Sequence, residues 1–213
     1  MKRNVFWCLA CAMLFAGCAA AQVHYYTLAS SEAFEGTDRK RADFSIEVMP
    51  VSVPPSLDQA YLAIRRGQTE IEFVDDERWA SPLDNEIRSA LASRLAARLN
   101  TDDVEASSAP SDNADKPVAT LSVRIRQLDV WPGSRVQLTA GWRVGFRGRR
   151  DRVLRCATHL EEKVDARDFG GLVQAQRAVV VQLADIVGAN IAALEKSADA
   201  ECLPAPGNAL TAR

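Results

Sequence analysis

Histidine is scarce in this chain: the 213 residues hold two, His24 and His159, far apart. That count disfavours histidine-rich metal sites and leaves few candidates for a general base. Lysine is scarce beside arginine, 5 against 21, an imbalance read here as a compositional bias rather than an arginine-based recognition surface. The formal net charge is only -2, so no dominant basic field argues for a nucleic-acid partner. Four signatures are missing: the GxSxG elbow, HExxH, the P-loop and GxGxxG. Their absence removes the sequence support for the hydrolase, metalloprotease and nucleotide-binding chemistries they carry. Asp75-Asp76-Glu77 is a carboxylate run, but it lacks the spaced ligands and glycine of a calcium loop. It is expected to be a solvated loop. The sequence offers no catalytic residue, metal site or cofactor.

What is present is ordinary globular material. Hydrophobic residues make up 47% and charged residues 25%, enough for one substantial domain or two small ones. The N-terminus is positive, Met1-Lys2-Arg3, and an apolar run from Val5 to Ala16 follows. That is the layout of a secretory signal, and the run is too short for a comfortable permanent span. It ends in Leu14-Phe15-Ala16-Gly17-Cys18, which resembles a bacterial lipobox, with Phe15 where Leu is usual. Residues 1–17 are expected to be a lipoprotein signal peptide, and 18–23 a tether lipidated at Cys18. Several acyl chains on one cysteine would anchor the protein firmly, since a single chain binds only marginally. The residue after Cys18 is Ala19 rather than Asp, which by analogy favours the outer membrane.

Five cysteines are present. Cys8 and Cys11 fall in the signal and Cys18 in the anchor, so Cys156 and Cys202 remain. In an oxidising periplasm they form a candidate disulfide, two unpaired small core residues being the alternative. Closing that loop would stabilise the fold by about 3–4 kcal/mol in the chain-entropy picture.

Along the mature chain, His24 to Leu28 reads as a first strand and Phe44 to Met49 as a second. The second has an alternating apolar face and is ended or confined to an edge by Pro50, Pro54 and Pro55. Tyr61 to Arg65 and Thr69 to Val74 flank Arg66-Gly67-Gln68 as a hairpin. A polar break at Asp75 to Arg78 precedes a helix capped by Ser81, with Pro82 in its first turn and Asp84 completing a capping-box-like pattern. Leu83, Ile87, Leu91, Leu95 and Leu99 line one helical face, leaving Arg88, Arg94 and Arg98 in solvent, and Asn100 ends the helix. A short strand is expected to start at Val104, followed by a flexible loop from Ala106 to Pro117. Three alternating strands come next, joined by turns at Trp131-Pro132-Gly133 and Gly148-Arg149-Arg150-Asp151, an antiparallel meander. A second helix spans about Asp168 to Glu195. The fold class is α+β: an antiparallel or mixed β-sheet with two long helices packed on one face. Residues 24–196 are expected to form a single domain, and 197–213 an irregular tail.

Several elements in order resemble the PqiC/YmbA-type lipoproteins, the auxiliary lipoprotein component of ABC-type transport. They are Cys18, Tyr25-Tyr26-Thr27-Leu28, Ile46-Glu47-Val48-Met49-Pro50-Val51, Val53-Pro54 with Leu57-Asp58, and Arg78-Trp79-Ala80-Ser81-Pro82-Leu83. The resemblance implies a non-catalytic outer-membrane lipoprotein that faces the periplasm and is held by its lipid anchor. It further implies an MCE-domain partner, an inner-membrane permease and ATPase in some systems, and a ring-like homo-oligomer. Trp79, Pro82 and Trp131 are the candidate partner-interface residues, with core packing the competing role for Trp79. Tyr25-Tyr26 is read as strand, and Arg147, Arg149, Arg150 and Arg152 as a solvated turn.

Overall fold

Val136, Leu138, Ala140, Trp142, Val144 and Phe146 are all buried, and the residues between them face outward. This period of two makes the segment a strand with one wet face. It is the centre of the fold, which a computed structural model describes over residues 22–29, 41–101, 103 and 116–204. The elements are β1 (His24–Tyr26), β2 (Ser45–Val48), β3 (Tyr61–Arg65), β4 (Ile71–Trp79), α1 (Leu83–Leu99), β5 (Val118–Trp131), β6 (Arg135–Phe146), β7 (Arg149–Lys163) and α2 (Phe169–Lys196).

Two mixed sheets result. The larger has the order β2-β5-β6-β7 and the smaller β1-β4-β3. The antiparallel meander β5-β6-β7 forms as the alternation requires, with Val123 opposite Trp142 and Trp142 opposite Cys156. Its two turns each use a glycine at positive φ, Gly133 at 67° and Gly148 at 80°, a backbone conformation that L side chains resist. The second turn is only Arg147-Gly148, and β7 already begins at Arg149. β2 pairs in parallel with β5 at the sheet edge, where the following prolines do no harm to a ladder.

Both helices lie with the larger sheet. α2 packs on β5, β6 and β7, and α1 packs on α2 and β2. The sheet and α1 together bury Leu172, Val179, Leu183, Val187, Ile191 and Leu194. Each such side chain contributes about 1.5–3 kcal/mol of transfer free energy. Burial on two sides explains why α2 is long and apolar enough to cross a membrane by composition while serving as a core helix.

Three local expectations are corrected. Asp75 to Arg78 is not a break but the end of β4, which runs unbroken to Trp79. β1 pairs in parallel with its end, with His24 opposite Glu77 and Tyr26 opposite Trp79. Ser81 does not cap α1. Pro82 occupies the cap position without a side-chain hydrogen bond, and the Ser81 hydroxyl donates instead to Glu86 Oε1 at 2.7 Å. Arg94 and Arg98 are not solvated but reach across to Asp185 on α2, with Nε–Oδ1 at 2.9 Å and Nη1–Oδ1 at 3.2 Å. Arg88 Nε donates to the Val48 carbonyl. The expected C-cap holds: Asn100 sits in the left-handed region at φ 47°. The strand start at Val104 and the loop from Ala106, up to residue 115, lie outside the described residues.

Candidate functional site

The start of α1 gathers the candidate residues. β1 runs parallel to β4, so their ends meet where β4 exits. Trp79 closes β4, buried, with its backbone N–H donating to the Ala60 carbonyl. Pro82, three residues on, is exposed. Between them opens a cavity of about 260 Å³ lined by Asp58, Gln59, Ala60, Trp79, Ala80, Ser81 and Pro82. Beneath its rim lies Glu86, buried and tied four ways. Its Oε2 accepts from Thr27 Oγ1 at 2.7 Å and Leu28 N at 2.8 Å, and its Oε1 from Ser81 N at 3.1 Å and Ser81 Oγ at 2.7 Å. Four donors on one carboxylate offset its desolvation. The result fixes the end of β1, the exit from β4 and the first turn of α1 as one unit.

The other candidates stand elsewhere. Trp131 is half-buried at the β5–β6 turn of the larger sheet, with the Arg135 guanidinium 4.5 Å from its ring centroid. It therefore does not share a surface element with Trp79 and Pro82. Cys156 on β7 is bonded to Cys202 in the tail, with a Cα–Cα distance of 5.9 Å. The tail has a second tie, Leu203 N to Asn190 Oδ1 at 2.8 Å, on α2. Cys18 lies outside the described residues.

One titratable cluster sits beside the cavity. His24 Nδ1 is 3.1 Å from Glu77 Oε1. The Tyr26 hydroxyl is pushed up to about 12, first by burial, then by Glu77 as hydrogen-bond acceptor and as negative charge, and last by the charge of Asp168. A phenol pushed up in this way stays protonated at neutral pH and is no general base there. No group of three or more His, Cys, Asp or Glu side chains that could hold a metal occurs among the described residues.

Sequence reasoning missed Glu86, Asp129 and Asp185, the acids that join separate elements. Asp129 on β5 accepts from Arg65 Nε on β3 at 2.8 Å and from Gln127 Nε2 at 2.6 Å, linking the two sheets. The available signal was an acid between two apolar residues near the end of a strand, Leu128-Asp129-Val130.

Solved structures share this fold. A crystal structure of an uncharacterized protein matches with a TM-score of 0.63 at 20% identity, over 80% of this chain and 99% of its own. A Xanthomonas campestris protein matches with a TM-score of 0.57 at 14% identity, over 81% of this chain and 97% of its own. At such identities the likeness concerns the fold alone. No curated protein matches the chain. The family model of the ABC-type transport auxiliary lipoprotein component matches residues 26–188, from β1 to well inside α2, and the chain belongs to that family.

Proposed function

We propose that this protein is a non-catalytic docking component of an intermembrane transport system, anchored by lipid at Cys18 to the outer membrane and facing the periplasm. Its partner would be an MCE-domain protein, with or without an inner-membrane permease and ATPase, and its cargo a lipid or other hydrophobic compound. The family match across residues 26–188 carries this reading. The cavity between Trp79 and Pro82 supplies a place to dock, because one wall is held rigidly by Glu86 and the other is exposed. Copies assembled in a ring would present several such places at once.

Position is the mechanism. Cys18 precedes His24 by six residues, so an acylated cysteine would hold β1 within about 20 Å of the bilayer. Tethering then converts a weak docking contact into a local one. The test is to tag the C-terminus, extract membranes in mild detergent and identify the proteins that co-purify. An MCE-domain protein supports the reading. Secretion or outer-membrane assembly components in its place would overturn it in favour of a structural envelope lipoprotein. Cys18→Ala is expected to leave unprocessed precursor, and normally processed, membrane-bound protein would remove the anchor.

A further inference from the structure

Most arginines in the described residues have a partner. Arg65 pairs with Asp129, Arg66 with Glu72, Arg94 and Arg98 with Asp185, Arg135 with Glu161 and Arg147 with Glu47. Arg152 donates to carbonyls at the end of α2. Arg124, Arg126, Arg143 and Arg155 stand apart from this pattern as a group: they are exposed and have no ion pair or side-chain hydrogen bond among the described residues. All four stand on the open face of the larger sheet, opposite the helices.

The register shows how close they are. Arg143 on β6 is directly opposite Arg155 on β7, while Arg124 on β5 is opposite Gly141. Like charges in direct cross-strand positions destabilise a sheet. Gly141 makes the arrangement tighter still. A Cβ there would meet Arg126 Nη2 at 3.3 Å, so the Arg126 side chain lies across the space a larger residue would fill. Small residues, Ser122, Gly141 and Ala157, floor the area between the guanidinium groups, and Pro50 and Ser52 wall one side. Together they enclose an open groove of about 650 Å³. Carboxylates elsewhere on this face are engaged, Glu47 by Arg147 and Thr120, Asp129 by Arg65 and Gln127, and Glu161 by Arg135 and Gln137.

We infer that this groove binds the phosphate headgroup of an anionic phospholipid, held by Arg124, Arg126, Arg143 and Arg155. Guanidinium groups match phosphate oxygens in bidentate pairs, and clustered cations near a bilayer recognise anionic headgroups. Small floor residues let a headgroup approach the sheet, where bulky ones would keep it out. The arginine excess, read from sequence as compositional bias, is thus distributed with purpose at these four positions. The choice of a lipid as the source of the phosphate rests on the membrane anchor proposed above.

The test uses the full lipidated protein reconstituted in phosphatidylcholine vesicles, with or without phosphatidylglycerol. Arginine modification by phenylglyoxal is mapped residue by residue by mass spectrometry, with Arg65 as internal reference. Phosphatidylglycerol is expected to slow modification at Arg124, Arg126, Arg143 and Arg155 at least threefold. The Arg143→Gln/Arg155→Gln protein, which keeps its fold because it loses only repelling charges, should lose the protection at Arg124 and Arg126. Equal rates in both vesicles overturn the inference. So does equal protection by inorganic phosphate without phosphatidylglycerol, which would assign a soluble phosphate, or by polyglutamate, which would assign an acidic protein. The mass of the N-terminal peptide reports acylation of Cys18 separately, so a missing anchor and an empty groove give different results.

Discussion

Glu86 Oε2 accepts a 2.7 Å hydrogen bond from the Thr27 hydroxyl, 59 residues earlier in the chain. With Leu28 N and Ser81 as further donors, the carboxylate is the point where β1, β4 and α1 are fastened together. Glu86→Ala is expected to lower unfolding stability by about 2–4 kcal/mol, because it strands several donors in a largely buried site. Glu86→Gln keeps one acceptor oxygen and should lose roughly half as much. Urea denaturation measures both. A loss below about 1 kcal/mol in the alanine protein would show the donors finding water instead.

The Arg65–Asp129 pair joins the two sheets, with side chains 22% and 9% exposed. Removing one partner leaves a poorly hydrated charge, so Asp129→Ala should cost about 2–4 kcal/mol. Arg65→Met should cost at least as much, since it leaves the less exposed Asp129 carboxylate with Gln127 as its remaining donor. Because the two share one interaction, the double variant should be more stable than the sum of single losses predicts, by at least about 0.5 kcal/mol. Strict additivity in a double-mutant cycle would contradict the link.

The bond between Cys156 and Cys202 spans a sequence separation of 46. Reductant should therefore lower the denaturation midpoint of the native protein by an amount corresponding to about 3–4 kcal/mol. Cys202→Ser should start at that lower midpoint and ignore the reductant. Leu203 and Asn190 keep the tail on α2, so a smaller loss than the loop length implies would measure that second tie.

The strands and helices were legible because their periods are strong. Alternation set the faces of β5, β6 and β7, and the leucine ladder from Leu83 set the face of α1. The lines that failed were polar ones. Asp75 to Arg78 carries no apolar alternation, and β4 continues there with partners distant in sequence, β1 opposite Glu77 to Trp79 and Tyr61 of β3 opposite Arg78. Arg94 and Arg98 looked solvated because Asp185 is about 90 residues away. The same limit hid the arginine groove. Arg124, Arg126, Arg143 and Arg155 are dispersed in sequence and become neighbours only once the register of three strands is fixed. Composition counts arginines without saying where they meet.

Tyr26 gives a pH signature. Its hydroxyl is raised from 10.0 to about 12 in the folded protein, by burial first and by Glu77 next. Between those values the unfolded chain has released a proton that the folded one still holds. Stability must therefore fall as pH rises through 10 toward 12. Tyr26→Phe keeps the ring and removes the ionisation. Urea midpoints compared from pH 9 to 11 should fall less steeply for Tyr26→Phe than for the native protein. Parallel slopes would mean that Tyr26 ionises alike in both states.

Two glycines in α2 should respond differently to alanine, although helix propensity favours alanine at both by about 1 kcal/mol. At Gly171 a new Cβ would lie 2.4 Å from the Ala166 Cβ. That methyl is fixed to the backbone, so the segment entering the helix has to move, and with it the cap in which Asp168 Oδ1 accepts from Gly171 N at 2.8 Å. Overpacking of this kind typically costs about 1–3 kcal/mol, enough to leave Gly171→Ala less stable than the native protein. At Gly188 the obstacle is the Arg98 side chain, with Cδ at 2.8 Å and Nε at 3.1 Å. That chain can swing aside. Its bond to Asp185 is partly exposed and duplicated by Arg94, which holds both oxygens at 2.9 and 3.0 Å, so giving it up costs at most about 1 kcal/mol. Gly188→Ala should thus stay within about 1 kcal/mol of the native stability, and its crossing with α1 should survive. A large loss at Gly188 with none at Gly171 would mean that the spacing between the helices, not the entry to α2, is the rigid part of this fold.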